Sequence, residues 1–560
     1  MSGRTEGGAK EQQLSRLAQQ GECGAVLDAR SDPRILAGIV ALAAIGVLIG
    51  GAFLGLLVEG MRDWSGALAA FDSYLFRIAR FTVWQAALST LLSIVPAMLL
   101  ARALSRHPDF FGRAFILKLF ALPLALPAIV AALGLLELYG RAGYFAGLLG
   151  WFSGGDWPGI YGLSGILVAH VFFNLPLATR LFLEALDTVS PDQWRLASQL
   201  GMRAGPSFRF IEWPVLRAAL PGIAGLVFML CITSFTLVLT LGGGPRATTL
   251  EVAIYQALRF DFDPARAVAL TALQVALTAA AVFALSRLGA NVTGEANLSV
   301  AAPRPPAAGP AETGVNALLL GAALLFVAGP LVATLLSGLQ ADLLRLAGEA
   351  TVRKAAATSV VLALAASVLS VALAFALVAA RRALAVARPG SLLERAMDTG
   401  AGFVLVVPPI VIGAGWFVLA RHFADVFALA PVMVVTVNAV MAMPFAVRAI
   451  RPRYDAAAER HDRLCAALGI SGWTRVRLVD APVLKRAAAT AGAFAMALSL
   501  GDLGVVALFG SDAVQTLPYL LFSRMGSYRT ADAAGLALLL GLLCLALMMV
   551  ADRLAREKPQ

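Results

Sequence analysis

The stretch Arg195–Pro214, RLASQLGMRAGPSFRFIEWP, occurs a second time 268 residues later as Arg463–Pro482, RLCAALGISGWTRVRLVDAP. The two copies align without a gap, and the same register extends back to Pro176 and Pro444. A constant offset over about forty residues indicates a tandem duplication rather than chance similarity. Each copy is polar, contains a central glycine and lies between two apolar runs. We call the copies hairpin 1 (Arg195–Pro214) and hairpin 2 (Arg463–Pro482).

The composition indicates a membrane protein. The chain has 560 residues, of which 59% are hydrophobic and 14% are charged, and its mean hydropathy is +0.80. Soluble domains carry roughly 25% charged residues. The net charge of +11 fits the accumulation of Lys and Arg in cytoplasmic loops. Because the basic residues are dispersed among apolar runs, the pattern favours the lipid bilayer as a partner over nucleic acid.

The apolar runs predict an all-α polytopic membrane protein with about twelve transmembrane helices. About twenty apolar residues are needed to cross a bilayer. The first six predicted spans are 35–58, 82–102, 119–138, 162–182, 219–241 and 266–286. The second six are 315–337, 357–380, 400–420, 430–450, 487–509 and 532–551.

The two sets of spans define the predicted domain organisation. A cytoplasmic N-terminal tail (1–34) precedes a first lobe (35–288), and a linker rich in Ala, Pro and Gly (289–314) leads to a second lobe (315–553) and a C-terminal tail (554–560). The run 35–58 is too long for a signal-peptide core and is expected to remain as the first span.

Charge counting predicts the orientation. With the N-terminus in the cytoplasm, the inner segments hold 32 of the 45 lysines and arginines, the outer loops hold 12, and Arg266 lies at a membrane edge. The chain crosses the membrane six times between the hairpins, so both hairpins lie on the same side. The charge count makes that side the cytoplasm.

The residue types in the hairpins predict a helix, a tight turn and a second helix that ends at proline. Gly201 and Gly469 can adopt the left-handed backbone that such a turn requires. Pro214 and Pro482 begin the next segment, where a missing N–H does no harm. We therefore expect a compact helical hairpin that protrudes from the membrane in each lobe.

The hairpins resemble the cytoplasmic coupling loops of bacterial ABC importer permeases. In that family a short Glu-Ala-Ala stretch, a glycine and nine further residues precede Ile-x-Leu-Pro. The resemblance implies a type I importer fold of two tandem six-helix repeats, whose hairpins bind two copies of a cytoplasmic ATPase. The residues that carry it are Arg195, Ala197, Gly201, Ile211 and Pro214 in hairpin 1, and Arg463, Gly469, Val479 and Pro482 in hairpin 2. Both copies depart from the family at the first position, where Arg replaces Glu.

A second motif, Leu241–Leu258 (LGGGPRATTLEVAIYQAL), contains a glycine run but no phosphate-binding loop. The chain has no GKS or GKT, so it lacks the lysine of a nucleotide-binding site, and the loop is predicted to lie outside. This stretch, with Cys231–Leu241 and Gly501–Gly510, resembles the permeases of thiamine and thiamine pyrophosphate importers. That resemblance implies a periplasmic thiamine-binding protein as a partner and a location in the bacterial inner membrane. It also implies that Thr249–Phe260 forms an amphipathic helix at the outer surface.

Polar residues inside the spans are candidates for a translocation pathway. Asp502 is costly at membrane depth, by up to about 3 kcal/mol on insertion scales, so it should face a cavity or a partner. Its counterpart by the repeat offset is Ser234, and Asn174 precedes Pro176 in the fourth span. Asp502 either guides a cationic cargo or forms a structural hydrogen bond between the lobes, and the sequence leaves both interpretations open.

Other functions fit the sequence less well. An importer of ferric iron or of a polyamine would have the same architecture, whereas an ion-coupled secondary transporter would need no cytoplasmic hairpins. No constellation of residues supports catalysis, so the chain is predicted to be a translocation subunit without enzymatic activity. The four cysteines and four histidines are isolated, and they indicate neither a metal site nor a bound cofactor.

Overall fold

The computed structural model describes residues 32–244, 247–287, 309–470, 472–511, 514–527 and 529–555. Most of the predicted N-terminal tail, most of the linker 289–314 and the end of the C-terminal tail lie outside these ranges. Within the described residues the regular secondary structure is helical, apart from an isolated bridge between Ser511 and Val514, and turns and irregular segments connect the helices. The prediction of an all-α polytopic fold is confirmed.

Twelve helices form the body of the molecule, and we number them α1 to α12 in chain order. The first lobe contains α1 Pro33–Arg62, α2 Ser73–Arg106, α3 Ala128–Tyr139, α4 Leu163–Leu186, α5 Trp213–Ile232 and α6 Pro264–Arg287. The second lobe contains α7 Pro310–Gln340, α8 Ala350–Ala387, α9 Pro409–Ala420, α10 Ala430–Ala467, α11 Ala481–Leu500 and α12 Thr530–Ala555.

The third span of each lobe is broken rather than continuous. Among the described residues, ten helices are long and apolar enough to cross a membrane, and none of these ten is α3 or α9. Helical residues Arg113–Ala125 precede α3 with a bend of 113° between them. Helix Leu392–Phe403 and a 3₁₀ turn precede α9. Pro127, Pro408 and Pro409 explain the breaks, because proline lacks an N–H and disfavours a helical residue before it.

The duplication extends to the helix boundaries. From hairpin 1 onward, four consecutive elements of the first lobe have counterparts in the second lobe with bounds shifted by 268 residues. They are helix Ala204–Ser207 and Gly472–Arg475, the π-helical segments Phe208–Glu212 and Val476–Asp480, α5 and α11, and helix Thr236–Leu241 and Gly504–Phe509. Because two diverged sequences produce the same irregular element at the same place, the π segments are a shared feature of the repeat.

The remaining short helices lie between the spans. They are Trp64–Ala69, Ala146–Ser153, Pro191–Gln199, Leu250–Arg259, Leu343–Gly348 and Leu517–Gly526. The helix predicted for Thr249–Phe260 is therefore present as Leu250–Arg259. Eight of its ten residues are buried, so it packs inside the protein and does not lie on the outer surface.

The first helix of each lobe packs against the opposite lobe. Helix α1 contacts α8 and α9, and Trp416 of α9 donates a hydrogen bond to the Leu48 carbonyl of α1 (2.7 Å). Helix α7 contacts α3 of the first lobe in the equivalent way. A Cβ at Gly134 would lie 2.5 Å from the Pro330 carbonyl oxygen, so the close approach depends on glycine. The two lobes are interlocked by these exchanged helices.

Candidate functional site

The turn of hairpin 1 is a helix ending with a left-handed glycine. Helix Pro191–Gln199 is followed by Gly201 with a φ of +62°. The Met202 N–H donates to the Ala197 carbonyl (2.9 Å) and the Gly201 N–H to the Ser198 carbonyl (3.1 Å). This pair of bonds is a Schellman motif, which satisfies carbonyls that a helix end would otherwise leave unpaired. Ala197 is buried at the base of the turn.

Hairpin 2 has the same turn. Gly469 has a φ of +64°, the Ile470 N–H donates to the Cys465 carbonyl (2.8 Å), and the Gly469 N–H donates to the Ala466 carbonyl (3.3 Å). The helix that enters the turn differs. In the second lobe α10 is continuous from the membrane into the hairpin, whereas the first lobe has a break between Leu186 and Pro191.

The chain leaves each turn through the π segment directly into the next span. The Trp213 N–H donates to the Phe208 carbonyl five residues earlier, and the Ala481 N–H donates to the Val476 carbonyl. Pro214 and Pro482 are therefore helical residues of α5 and α11. The prediction that the hairpin's second helix ends at these prolines is wrong. A π turn shifts the carbonyls away from the proline ring, which relieves the clash that proline causes in a regular helix.

Both hairpins present large apolar side chains to solvent at equivalent positions. These pairs, with their exposed fractions, are Leu196 (56%) and Leu464 (56%), Leu200 (68%) and Leu468 (63%), and Phe210 (66%) and Leu478 (60%). The predicted coupling residues lie around them: Arg195 and Arg463 are exposed, and Ile211 and Val479 are half-buried. Matching exposed apolar patches on two protruding loops are typical of a protein-binding surface.

A buried ion cluster lies at the base of hairpin 1. Both oxygens of Glu212 are paired: Arg106 Nε lies 2.7 Å from Oε1, and Arg102 Nε lies 2.7 Å from Oε2. The side chains of Arg106 and Glu212 are only 2% and 3% exposed. Arg102 also reaches Glu312 of α7, with 2.8 Å between Nη2 and Oε1. Sequence reasoning missed this cluster; its signal is a pair of arginines one turn apart near the end of an apolar helix.

The base of hairpin 2 is held differently. Asp480 stands where the first lobe has Glu212, but its nearest cation, Arg475 Nε, is 3.6 Å away. Arg475 pairs more closely with Asp462 of α10, at 2.5 Å. Asp480 Oδ2 has no hydrogen-bond partner among the described residues. The two lobes therefore share their backbone geometry but not their charge pairing.

The candidate pathway residues Ser234 and Asp502 lie in equivalent helix breaks. The break after α5 contains Ser234, and the break after α11 contains Asp502, although both lie within spans predicted to be continuous. A Cβ at Gly504 would lie 3.5 Å from Asp502 Oδ1 and 3.6 Å from the Phe235 ring, so the two breaks meet at the contact between the lobes. Asp502 Oδ1 accepts the Gly504 N–H at 3.0 Å, and Oδ2 is buried and makes no hydrogen bond of ordinary geometry among the described residues, although the Asn438 side chain lies close to the carboxylate.

Asn174 lies behind the break of the first lobe. It is buried and donates to Cys231 Sγ (3.3 Å). Two glutamines that sequence reasoning missed satisfy carbonyls at the end of α5: Gln85 donates to Cys231 O (3.0 Å) and Gln274 to Ile232 O (3.5 Å). Side-chain amides from α2 and α6 thus stabilise a helix end at membrane depth.

Comparison with known proteins identifies relatives that match most of the chain. The family described as "Binding-protein-dependent transport system inner membrane component" matches residues 372–557. The thiamine transport system permease protein ThiP of Brucella abortus (strain 2308) is 56% identical over 527 residues, which cover 94% of this chain and 96% of the relative. The proteins of the same name are 44% identical in Escherichia coli K12 (86% of this chain, 90% of the relative) and 42% identical in Salmonella typhimurium LT2 (92% and 96%).

Proposed function

This chain belongs to the family of thiamine transport system permeases, which are multi-pass proteins of the bacterial inner membrane, and we propose that it forms the membrane pathway of an ATP-driven importer for thiamine or its phosphates. It is a transport permease rather than an enzyme. The finer parts of the proposal concern the source of energy, the partners and the residues that line the pathway.

The two hairpins are proposed to bind two copies of a separate ATPase subunit. The observation that carries this proposal is their matched geometry: the same turn, the same π segment and three equivalent exposed apolar side chains in each lobe. A dimeric partner requires two such surfaces on the same side of the membrane. Nucleotide shifts the population of permease conformations only through a difference in binding, and the hairpins would transmit that difference.

A periplasmic thiamine-binding protein is proposed to deliver the cargo at the outer face, and the cargo passes between the lobes where the breaks after α5 and α11 meet. Asp502 presents a carboxylate at that contact, and one of its oxygens makes no hydrogen bond of ordinary geometry among the described residues. A carboxylate with such an oxygen is suited to attract the cationic thiazolium of thiamine. Ser234, at the equivalent position of the first lobe, is proposed to line the same pathway. Asn174 lies behind Ser234 and is proposed as a further pathway residue.

Replacement of Asp502 by asparagine is expected to lower thiamine uptake by about tenfold, which corresponds to about 1.4 kcal/mol. Asparagine keeps an oxygen that can accept the Gly504 N–H, so the variant removes the charge and preserves the local hydrogen bond. Uptake is measured in vesicles that contain equal amounts of folded permease, so that a loss of folded protein is not mistaken for a loss of transport. Normal uptake by Asp502→Asn would eliminate the electrostatic role and leave a structural one.

The direct test of the cargo is a reconstituted system of permease, ATPase and binding protein. We expect ATP-dependent accumulation of labelled thiamine, with no accumulation of ferric iron or spermidine. Accumulation of iron or polyamine instead of thiamine would agree with the proposed ATP-driven importer but would contradict the proposed cargo. Accumulation that needs an ion gradient but no ATP would indicate a secondary transporter.

A further inference from the structure

A chain of ion pairs links hairpin 1 to the opposite lobe. Glu212 belongs to hairpin 1, Arg102 to α2 of the first lobe and Glu312 to α7 of the second lobe. The Arg102 guanidinium contacts both carboxylates, with Nε on Glu212 at 2.7 Å and Nη2 on Glu312 at 2.8 Å. The contact with Glu212 is a hydrogen bond, whereas the contact with Glu312 is an ion pair whose alignment does not meet hydrogen-bond geometry. The planar guanidinium of arginine presents its donors in a fixed fork, so it spans two carboxylates with less freedom than the ammonium of lysine.

The position of Glu312 makes this contact mechanically significant. Glu312 lies in the first turn of α7, where a carboxylate is stabilised by the positive end of the helix dipole. A second polar contact, between Asn316 of α7 and His107 after α2 (3.2 Å), lies one turn further along. The beginning of α7 is therefore attached to the base of hairpin 1, and within the described part of the chain no ion pair joins Glu312 to the hairpin of its own lobe.

The other end of α7 contacts the last helix of the second lobe. A Cβ at Gly338 would lie 2.5 Å from the Cβ of Leu538 in α12, so the two backbones approach closely there. Glu312 and Gly338 are 26 residues apart, which corresponds to about 39 Å of helix. A single helix thus runs from the base of hairpin 1 on one face of the protein to the second lobe near the other.

We propose that Glu312 is a positioning residue for energy coupling. Through Arg102 it fastens α7 to Glu212, so a displacement of hairpin 1 moves α7 and, through the contact with α12, the second lobe. This inference rests on the proposed binding of an ATPase to the hairpins. It adds a route by which one hairpin acts on both lobes.

The second lobe provides a comparison, because among the described residues no arginine bridges the start of α1 to its hairpin by direct ion pairs. Asp32 and Arg34 interact with Arg475 and Asp480 of hairpin 2 only at longer range. Helix α1 begins at hairpin 2, where a Cβ at Gly472 would lie 3.4 Å from Pro33 Cγ. Asp32, which precedes α1, pairs with Arg34 of the same helix at 2.6 Å. Removal of the Asp32 charge should therefore leave coupling intact, while removal of the Glu312 charge should not.

The test uses the reconstituted three-component system with Glu312→Gln, Arg102→Lys and, as the matched control, Asp32→Asn, since asparagine also caps helices well. Three quantities are measured: affinity for the ATPase, ATP hydrolysis, and thiamine transported per ATP hydrolysed. For Glu312→Gln and Arg102→Lys we expect unchanged ATPase affinity and at least a fivefold loss of transport per ATP, which is about the lower end of typical coupling effects. Asp32→Asn and Glu312→Asp should retain coupling.

The outcomes separate the two proposals. If the wild-type permease transports thiamine at the expense of ATP and both variants do so equally well, the relay is refuted and the proposed function stands. If the variants lose ATPase affinity in parallel with transport, Glu312 acts on docking and the relay is also refuted. If the wild-type permease shows no ATP-dependent uptake, the proposed function itself fails. If Glu312→Gln does not fold, the transport per ATP of Arg102→Lys decides whether the relay is correct.

Discussion

Replacement of Glu212 by alanine is expected to destabilise the protein by about 3–5 kcal/mol, the usual cost of removing one partner from a buried ion pair. Arg106 is only 2% exposed, and without Glu212 its charge would remain buried with no carboxylate at Nε. The loss should appear as a lower midpoint of thermal unfolding in detergent and less folded protein in the membrane.

Asp480→Ala is the matched control, because Asp480 occupies the same position in the second lobe. Its removal leaves Arg475 paired with Asp462 at 2.5 Å, so the expected cost is about 1 kcal/mol or less. Equal destabilisation by the two substitutions would show that the ion cluster does not hold hairpin 1. It would also remove the physical basis for a relay through Arg102.

Replacement of Gly415 by alanine is expected to loosen the contact between the lobes. A Cβ at Gly415 would overlap the backbone carbonyl of Ala52 in α1, and backbone atoms cannot move aside as a flexible side chain can. Overpacking of a closely packed site typically costs about 1–3 kcal/mol. Gly134→Ala, at the equivalent crossing of α3 with α7, should have a comparable effect. Thermal unfolding in detergent measures both.

Gly50→Ala is the control for this prediction. Gly50 lies on α1 two residues before Ala52, on a side of the helix where a Cβ would have no atom within 4 Å. The substitution should be neutral or slightly stabilising, since alanine favours helix over glycine. If Gly50→Ala and Gly415→Ala destabilise equally, the exchange of first helices between lobes is not the contact that holds the lobes together.

The elements that depend on local sequence could be predicted. The duplication, the glycine turns of both hairpins and the approximate positions of the spans follow from a constant offset, from the backbone freedom of Gly201 and Gly469, and from the length of apolar runs. The breaks after α5 and α11 could not be predicted. The apolar run 219–241 continues through the break, and the break is stabilised by Gln85 and Gln274 from distant helices.

The ion cluster and the exchanged helices could not be predicted either, because both depend on contacts between distant parts of the chain. Arg102 and Glu212 are 110 residues apart, and nothing near either residue indicates its partner. A glycine such as Gly415 can permit either a kink or close helix packing. The structure places the kink before α9 at Pro408 and Pro409 and shows Gly415 in the contact with α1. The roles of the hairpin and pathway residues, and the domain boundaries, stay predictions.

The central claim is that both hairpins lie in the cytoplasm and bind an ATPase. The most direct measurement is labelling of single cysteines, Leu200→Cys in hairpin 1 and Leu468→Cys in hairpin 2, with a membrane-impermeant maleimide. The background has Cys23, Cys231, Cys465 and Cys544 replaced. Both positions should react in inside-out vesicles, remain unlabelled in right-side-out vesicles and be protected by saturating ATPase. Labelling of the two positions from opposite faces, or labelling that the ATPase leaves unchanged at both, would contradict the claim.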